Sequence, residues 1–179
     1  LSFLAAIMNS AIAETQGSVR LNLLSKDLDE GFAILREVLT QPRFQENKLQ
    51  LQKDQMLQAM RQRNDDAADI ETRERDWLAF GHGFWANRLP TAPTVQSLGR
   101  QDLLAFHKRW FHPRNFVVAA SGDFRRADMV ARLERLFADW LFQGEAAPEI
   151  PADHTLAPAG VYLVDKDVNQ GRVSLLLPG

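Results

Sequence analysis

The 179-residue chain has no cysteine, one tyrosine and only four histidines. Without cysteine there can be no disulfide, no thiolate metal site and no thiol nucleophile. The compartment stays open between periplasm and cytoplasm, because proteins of both can do without cysteine. No apolar run approaches the roughly 20 residues that a membrane-spanning helix needs. Neither sign of charge is in excess. A formal net charge of -2 gives no reason to expect nucleic acid or an anionic membrane as a partner. A phosphate-binding P-loop, a G-x-G-x-x-G turn and a G-x-S-x-G elbow are also missing.

What is present is the composition of an ordinary globular protein, 45% hydrophobic and 25% charged, in a chain long enough for one sizeable core and the edge of a second domain. The residues alone point to a globular α/β domain. Its longest helical signal is Glu46 to Asp66, where no Pro or Gly intervenes. Leu49, Met56 and Met60 recur at helical spacing and Leu57 widens the stripe, which leaves Lys48, Lys53, Asp54, Arg61 and Arg63 for water. The helix bends or breaks near Asn64-Asp65-Asp66, resumes through Ile70 to Phe80 and stops at Gly81.

At the N-terminus, Ala11-Ile12-Ala13 after an apolar run imitates a signal-peptide cleavage site, yet no basic residue precedes Arg20. We therefore read Leu1 to Ile7 as a helix end within a longer protein. Asn9 to Glu14 follows as a strand, and Ser18 to Leu24 as a half-buried strand in which Val19, Leu21 and Leu23 alternate with Arg20 and Asn22. Ser25 and Asp27 are candidate N-caps for an amphipathic helix marked by Leu28, Phe32, Leu35 and Leu39, ending near Gln41-Pro42. Phe44 is placed at the corner before the long helix.

Gly81 to Gly99, with three glycines and two prolines, reads as a surface loop with one helical turn at Thr94 to Leu98. Arg100 to Phe111 is a helix halted by Pro113. Phe116 to Ala120 is apolar throughout, as in a central strand, and Met129, Leu133, Leu136, Phe137 and Trp140 give the next helix its buried stripe. Gln143 to Ala159 carries Gly144, Pro148, Pro151 and Pro158 and reads as a linker. Val161 to Val164 and Arg172 to Leu177 then read as two strands, too few to fold alone.

Chemistry-bearing residues are sparse. His107 and His112 are five apart, which puts them on different helix faces, and with His82 and His154 they lack a ligand pattern. Asp65 and Asp66 are adjacent and diverge on a helix, so a break or cap accounts for them. Glu71, Arg73, Glu74 and Arg75 read as a solvated charged face.

Taken in order, LSKDLDEGFAILREVLTQPRF, a long helix ending NDDAADI, and LPTAPTVQSLGRQDLLAFHKRWFHPRNFVVAASGDF followed by a helix ending FADW resemble the M16 (pitrilysin or insulinase-type) zinc metallopeptidase family. The most specific pieces are Phe111 to Asp123 and the Asn64-Asp65-Asp66 helix end. The resemblance implies an α+β fold, an antiparallel-rich sheet backed by helices. It also implies that residues 1–142 are the C-terminal part of a first M16-type domain, 143–159 a linker, and 160–179 the opening strands of a second.

Family members bind zinc through H-x-x-E-H, with a further Glu ligand on a later helix. H-x-x-E-H does not occur here, and the family's layout would put it upstream of Leu1. The later Glu is expected within the long helix, a few residues before Asp65-Asp66, where this chain has Ala59 beside Gln58. Zinc is thus a cofactor of the family that this stretch is not expected to bind, and no residue is assigned a catalytic role. Three readings stay open. The first is a non-catalytic member that helps enclose a peptide substrate, as one of a homo- or heterodimeric pair of M16-type subunits. The second is an active zinc endopeptidase in which Glu46, Glu71 or Glu74 is the ligand. The third is a purely structural assembly subunit.

Overall fold

The computed structural model describes residues 6–140 and 146–177. Among these are six α-helices and one two-stranded antiparallel sheet, so the fold is α+β as the resemblance implies. The described chain divides into two compact units, one of residues 1–45 and 99–149, the other of residues 46–98 and 150–179.

The first unit opens with a hairpin, β1 (Ile7–Ile12) and β2 (Gly17–Asn22), paired from Ile7↔Asn22 to Ile12↔Gly17 and closed by a bond from the Ala13 amide to the Gln16 carbonyl at 2.8 Å. The expected helix end at Leu1 to Ile7 lies largely outside the described residues, and Ile7 itself is the first residue of β1. Helix α1 (Leu28–Thr40) buries Leu39 and Gly31. A Cβ at Gly31 would collide with the end of the Leu23 side chain, so the glycine lets this helix lie close to the residue that follows β2 by one. Neither candidate cap works as expected. Asp27 makes no capping bond, because a 3-10 turn over Ser25–Asp27 precedes the helix, and Ser25 Oγ donates to the Asp123 carbonyl at 3.0 Å.

The same unit holds α5 (Arg100–Trp110) and α6 (Arg126–Phe137). Asp102 accepts from the Gly99 amide at 2.8 Å and closes the start of α5. Helix α6 buries Met129 and Leu136, each worth about 1.5–3 kcal/mol relative to exposure. Arg36 of α1 donates through Nη1 to the carbonyls of Leu136, at 2.6 Å, and Arg135, at 3.4 Å, satisfying orphan acceptors at the C-terminal end of α6.

The second unit begins with α2 (Glu46–Gln62), which ends before the turn at Arg63–Asp65, as the Asn-Asp-Asp signal predicted. Its half-buried positions are Leu49, Lys53, Leu57 and Met60; Met56, assigned to the stripe from spacing, is 47% exposed. Lys53 is the reason the stripe turns. Its ammonium donates to the carbonyls of Gln96 and Leu98, at 2.7 and 2.8 Å, so its stem lies along the apolar face and caps the end of α4 (Ala92–Ser97). Asp66 accepts from the Ala68 amide at 2.6 Å as the N-cap of α3 (Ala67–Phe80), and Gly81, at φ +85°, ends that helix with its amide bonded to the Trp77 carbonyl. Asn87 donates to the carbonyls of Asp76 and Gly81, at 2.8 and 2.9 Å, and so folds the following loop back onto α3.

Three expected strands are not formed. Phe116 to Ala120, Val161 to Val164 and Arg172 to Leu177 pair with no strand among the described residues, and Val117, Leu163, Val173 and Leu175 are 90% exposed or more. Apolar sequence supplies a strand with side chains to bury, but a ladder needs a neighbour to take its amides and carbonyls, and among the described residues β1 and β2 pair only with each other. The expected linker, where it is described (146–159), has no helix or strand.

Candidate functional site

Within the first unit, the Phe111 to Asn115 passage forms a buried corner between α5 and the chain beyond it. Pro113 opens a 3-10 turn in which the amides of Asn115 and Phe116 bond to the carbonyls of His112 and Pro113 at 3.0 and 3.2 Å. Asn115 Nδ2 donates to the Trp110 carbonyl at 3.2 Å, covering the C-terminal end of α5. Aromatic rings surround the corner: His107 stacks on Phe111 at 4.7 Å between centroids, Phe116 meets Phe111 edge-on at 6.4 Å, and Trp140 meets Phe116 at 5.5 Å. His112 is fully buried, and this burial, with a smaller contribution from the Arg114 charge, pushes its imidazole below the ordinary value of 6.5. The imidazole is therefore held neutral. This corner organises packing and presents no reactive group to solvent.

In the second unit, Ala59 sits exposed in the fourth turn of α2 beside the exposed Gln58. The other acidic candidates are dispersed. Glu46 is exposed in the first turn of α2, and Glu74 forms an ion pair with Arg73 at 3.5 Å. Glu71 is bound on one oxygen by the Arg172 guanidinium and on the other by the Ser174 hydroxyl, which together hold its carboxyl below the usual range even though partial burial opposes them. Asp66 is spent on its cap while Asp65 stays exposed.

The remaining histidines do not converge either. The His107 Nε2 bonds to the Leu39 carbonyl at 2.8 Å, His154 Nδ1 to the Ala152 carbonyl at 3.0 Å, and His82 packs 4.3 Å from the Trp77 ring. Among the described residues, no three His, Cys, Asp or Glu side chains lie close enough to hold a metal ion. No helix is long and apolar enough to cross a membrane, again among the described residues.

The bonds from Lys53 to α4 and from Arg172 and Ser174 to Glu71 carried no signal in the sequence. They join positions 43 to 103 residues apart, where periodicity is silent.

An α+β chain with this helix order, broken after α2 and cornered at His112-Pro113, has known counterparts. Residues 97–179 match the family model described as the Peptidase M16 inactive domain. An uncharacterized zinc protease of Mycobacterium tuberculosis is 25% identical over 171 residues, 94% of this chain and 39% of the relative. A non-peptidase homolog of Helicobacter pylori is 28% identical over 156 residues, 87% of this chain and 36% of the relative. The crystal structure of a peptidase M16 inactive domain from Pseudomonas fluorescens superposes with a TM-score of 0.70 at 22% identity, covering 82% of this chain and 36% of that one. Over most of its length the chain is similar to proteins of the M16 peptidase family. It spans less than two-fifths of the length of these relatives.

Relatives named zinc proteases connect zinc with the family. The residues described here do not fit that ion. Ala59 has no donor atom, Gln58 is a poor zinc ligand, and Glu71 is already claimed by a cation and a hydroxyl.

Proposed function

We propose that this chain is part of a non-catalytic M16-type subunit or domain, which helps enclose and bind a peptide substrate while a partner of the same family carries the zinc. The observation that carries the reading is Ala59, exposed where the family's further Glu ligand is expected, with no group of three ligating side chains among the described residues. A catalytic zinc keeps three protein ligands and one open position, so a missing carboxylate weakens both metal affinity and water activation. The "inactive domain" description of the family model and the non-peptidase name of the Helicobacter relative support the same reading. In this proposal residues 1–142 complete a first M16-type domain, 143–159 link it to a second, and 160–179 open that second domain.

The mycobacterial relatives, named zinc proteases, favour a second reading, an active endopeptidase with H-x-x-E-H elsewhere in the protein. Zinc content and peptide cleavage of the full-length protein, alone and mixed with another M16-type subunit from its own source, separate the two. The proposal expects no zinc and no cleavage alone, and activity that appears or rises on mixing. Near-stoichiometric zinc with cleavage by the isolated protein would overturn it. Silence in both conditions would leave the purely structural role.

A further inference from the structure

The stretch that reads as a linker is tied down in its middle. In the second unit, residues 151–157 lie against the end of α3 and the loop that follows it. The amide of Thr155 donates to the Phe80 carbonyl at 3.1 Å, and that of Ala157 to the Leu78 carbonyl at 2.8 Å. Alternate amides on one side are what an extended chain offers, and these two run antiparallel to the helix end. Both acceptors are among the last four carbonyls of α3, which a helix cannot satisfy by itself.

Side chains add a second set of contacts. The Trp85 indole donates through Nε1 to the Pro151 carbonyl at 2.9 Å, and the His154 ring meets Phe80 and Phe84 edge-on at 5.6 and 6.5 Å between centroids. Phe80 and Phe84 stack on each other at 5.2 Å. Gly81 faces this strap: a Cβ there would stand 3.3 Å from the Thr155 carbonyl, besides being strained at φ +85°. Aromatic rings beside a proline-bearing extended segment reproduce the way aromatic-lined grooves take up such segments. Yet nothing in the strap is buried, since residues 151–156 are exposed and Ala157 is half-buried. It adds no residue to a core, and water can take over the two helix-end carbonyls, so α3 does not depend on it.

We propose that the end of α3, with Phe84 and Trp85, is a docking site for an extended, proline-containing segment, that its occupant is the chain's own residues 151–157, and that these dock and release as a latch without unfolding α3. Docked, the latch fixes the course of the chain beyond Pro151. Released, it bares Phe80, Phe84 and Trp85 together with two free carbonyls, the acceptors that an extended segment needs. The latch lies wholly within the second unit and requires neither zinc nor a catalytic partner.

Amide hydrogen exchange of the full-length protein, followed by NMR, tests the latch. The Thr155 and Ala157 amides should exchange about tenfold or more slower than in an unfolded chain, yet faster than the Trp77 amide inside α3. Thr155→Pro combined with Ala157→Pro removes both donors in an extended stretch that suits proline, so it should shift the Trp85 indole resonance and leave the Trp77 amide protected. Trp85→Phe keeps a ring and removes the indole donor, and should speed exchange at Thr155 and Ala157 by about threefold or more. A capped peptide of residues 148–158, at the millimolar concentration that a short tether is equivalent to, should restore the indole resonance in the double-proline protein and leave the parent unchanged. Exchange of Thr155 and Ala157 at the unfolded rate, exchange as slow as that of α3, no effect of Trp85→Phe, loss of α3 protection in the double-proline protein, or a peptide that leaves its indole resonance unmoved would each overturn the proposal.

Discussion

The Nε2 atom of His107, on α5, lies 2.8 Å from the carbonyl oxygen of Leu39, on the last turn of α1. A carbonyl only accepts, so this nitrogen must carry its proton and the imidazole is the donor. Leu39 is buried, and its carbonyl is one of the four that an α-helix leaves without an internal partner. His107 therefore joins two helices that are 68 residues apart in sequence, and its ring also stacks on Phe111. Replacing it with Phe keeps the aromatic surface and strands the carbonyl. His107→Phe should cost about 1–3 kcal/mol in urea unfolding, the range for an unmet buried acceptor. An unchanged midpoint would mean that water replaces the bond.

Asp66 offers a smaller and more local effect. Its carboxylate accepts from the Ala68 amide at 2.6 Å, and the chain turns between α2 and α3 just before it. Asp66→Ala should destabilise by about 1 kcal/mol, and Asp66→Asn should recover most of the loss because Asn caps nearly as well. Thermal unfolding of the pair of variants reads both values.

Legibility in the sequence divided along physical lines. The break at Asn64-Asp65-Asp66, the stop at Gly81 and the helix up to Pro113 were visible because caps and breakers act over a few residues. Met56 was misplaced because a tethered Lys53 pulls the buried face round by a long-range bond. The strand assignments at Phe116 to Ala120, Val161 to Val164 and Arg172 to Leu177 failed for the opposite reason: strand formation depends on a hydrogen-bonded neighbour that local sequence does not name. The FHPRN passage was recognised as a family mark, while its role as a buried aromatic corner became visible only in three dimensions.

His112 makes folding sensitive to mild acid. Its imidazole is neutral when folded because burial, reinforced by Arg114, lowers its pKa, whereas the unfolded chain titrates near 6.5. Below that pH the unfolded state binds the extra proton, so the stability contribution is complete above about 6.5 and is lost as the pH falls through the window beneath it. The urea midpoint should decline as pH drops below that value. In imidazole NMR, His112 should keep its neutral signature where a freely solvated histidine is already protonated.

Glu71 responds in a lower range. The Ser174 hydroxyl and Arg172 guanidinium favour its ionised form, so this tie is present above the ordinary value of 4.5 and is lost as pH falls below it through the lowered folded value. Glu71→Gln removes the charge at neutral pH and should free the 172–174 stretch, which no ladder holds. Limited trypsin digestion should then cut after Arg172 several-fold faster than in the parent, as expected of exposed chain without backbone pairing. Equal cutting rates would show that the Lys166 ammonium on the Asn64 carbonyl holds the segment by itself.

Ala59→Glu places a carboxylate where the family's zinc ligand is expected and so tests the non-catalytic reading from the other side. Ala59 is exposed in mid-helix, and Glu is nearly as good a helix former, so the substitution should change stability by no more than about 0.5 kcal/mol. A single new carboxylate on α2 meets no cluster of ligating side chains among the described residues, and one carboxylate does not hold zinc. Full-length protein carrying this substitution should therefore remain without zinc after dialysis against the free ion, and without cleavage of its own. Stoichiometric zinc in the variant, with none in the parent, would mean that an H-x-x-E-H helix elsewhere in the protein faces this position. The loss would then be one ligand deep, and the proposed helper would be a peptidase disabled by a single residue.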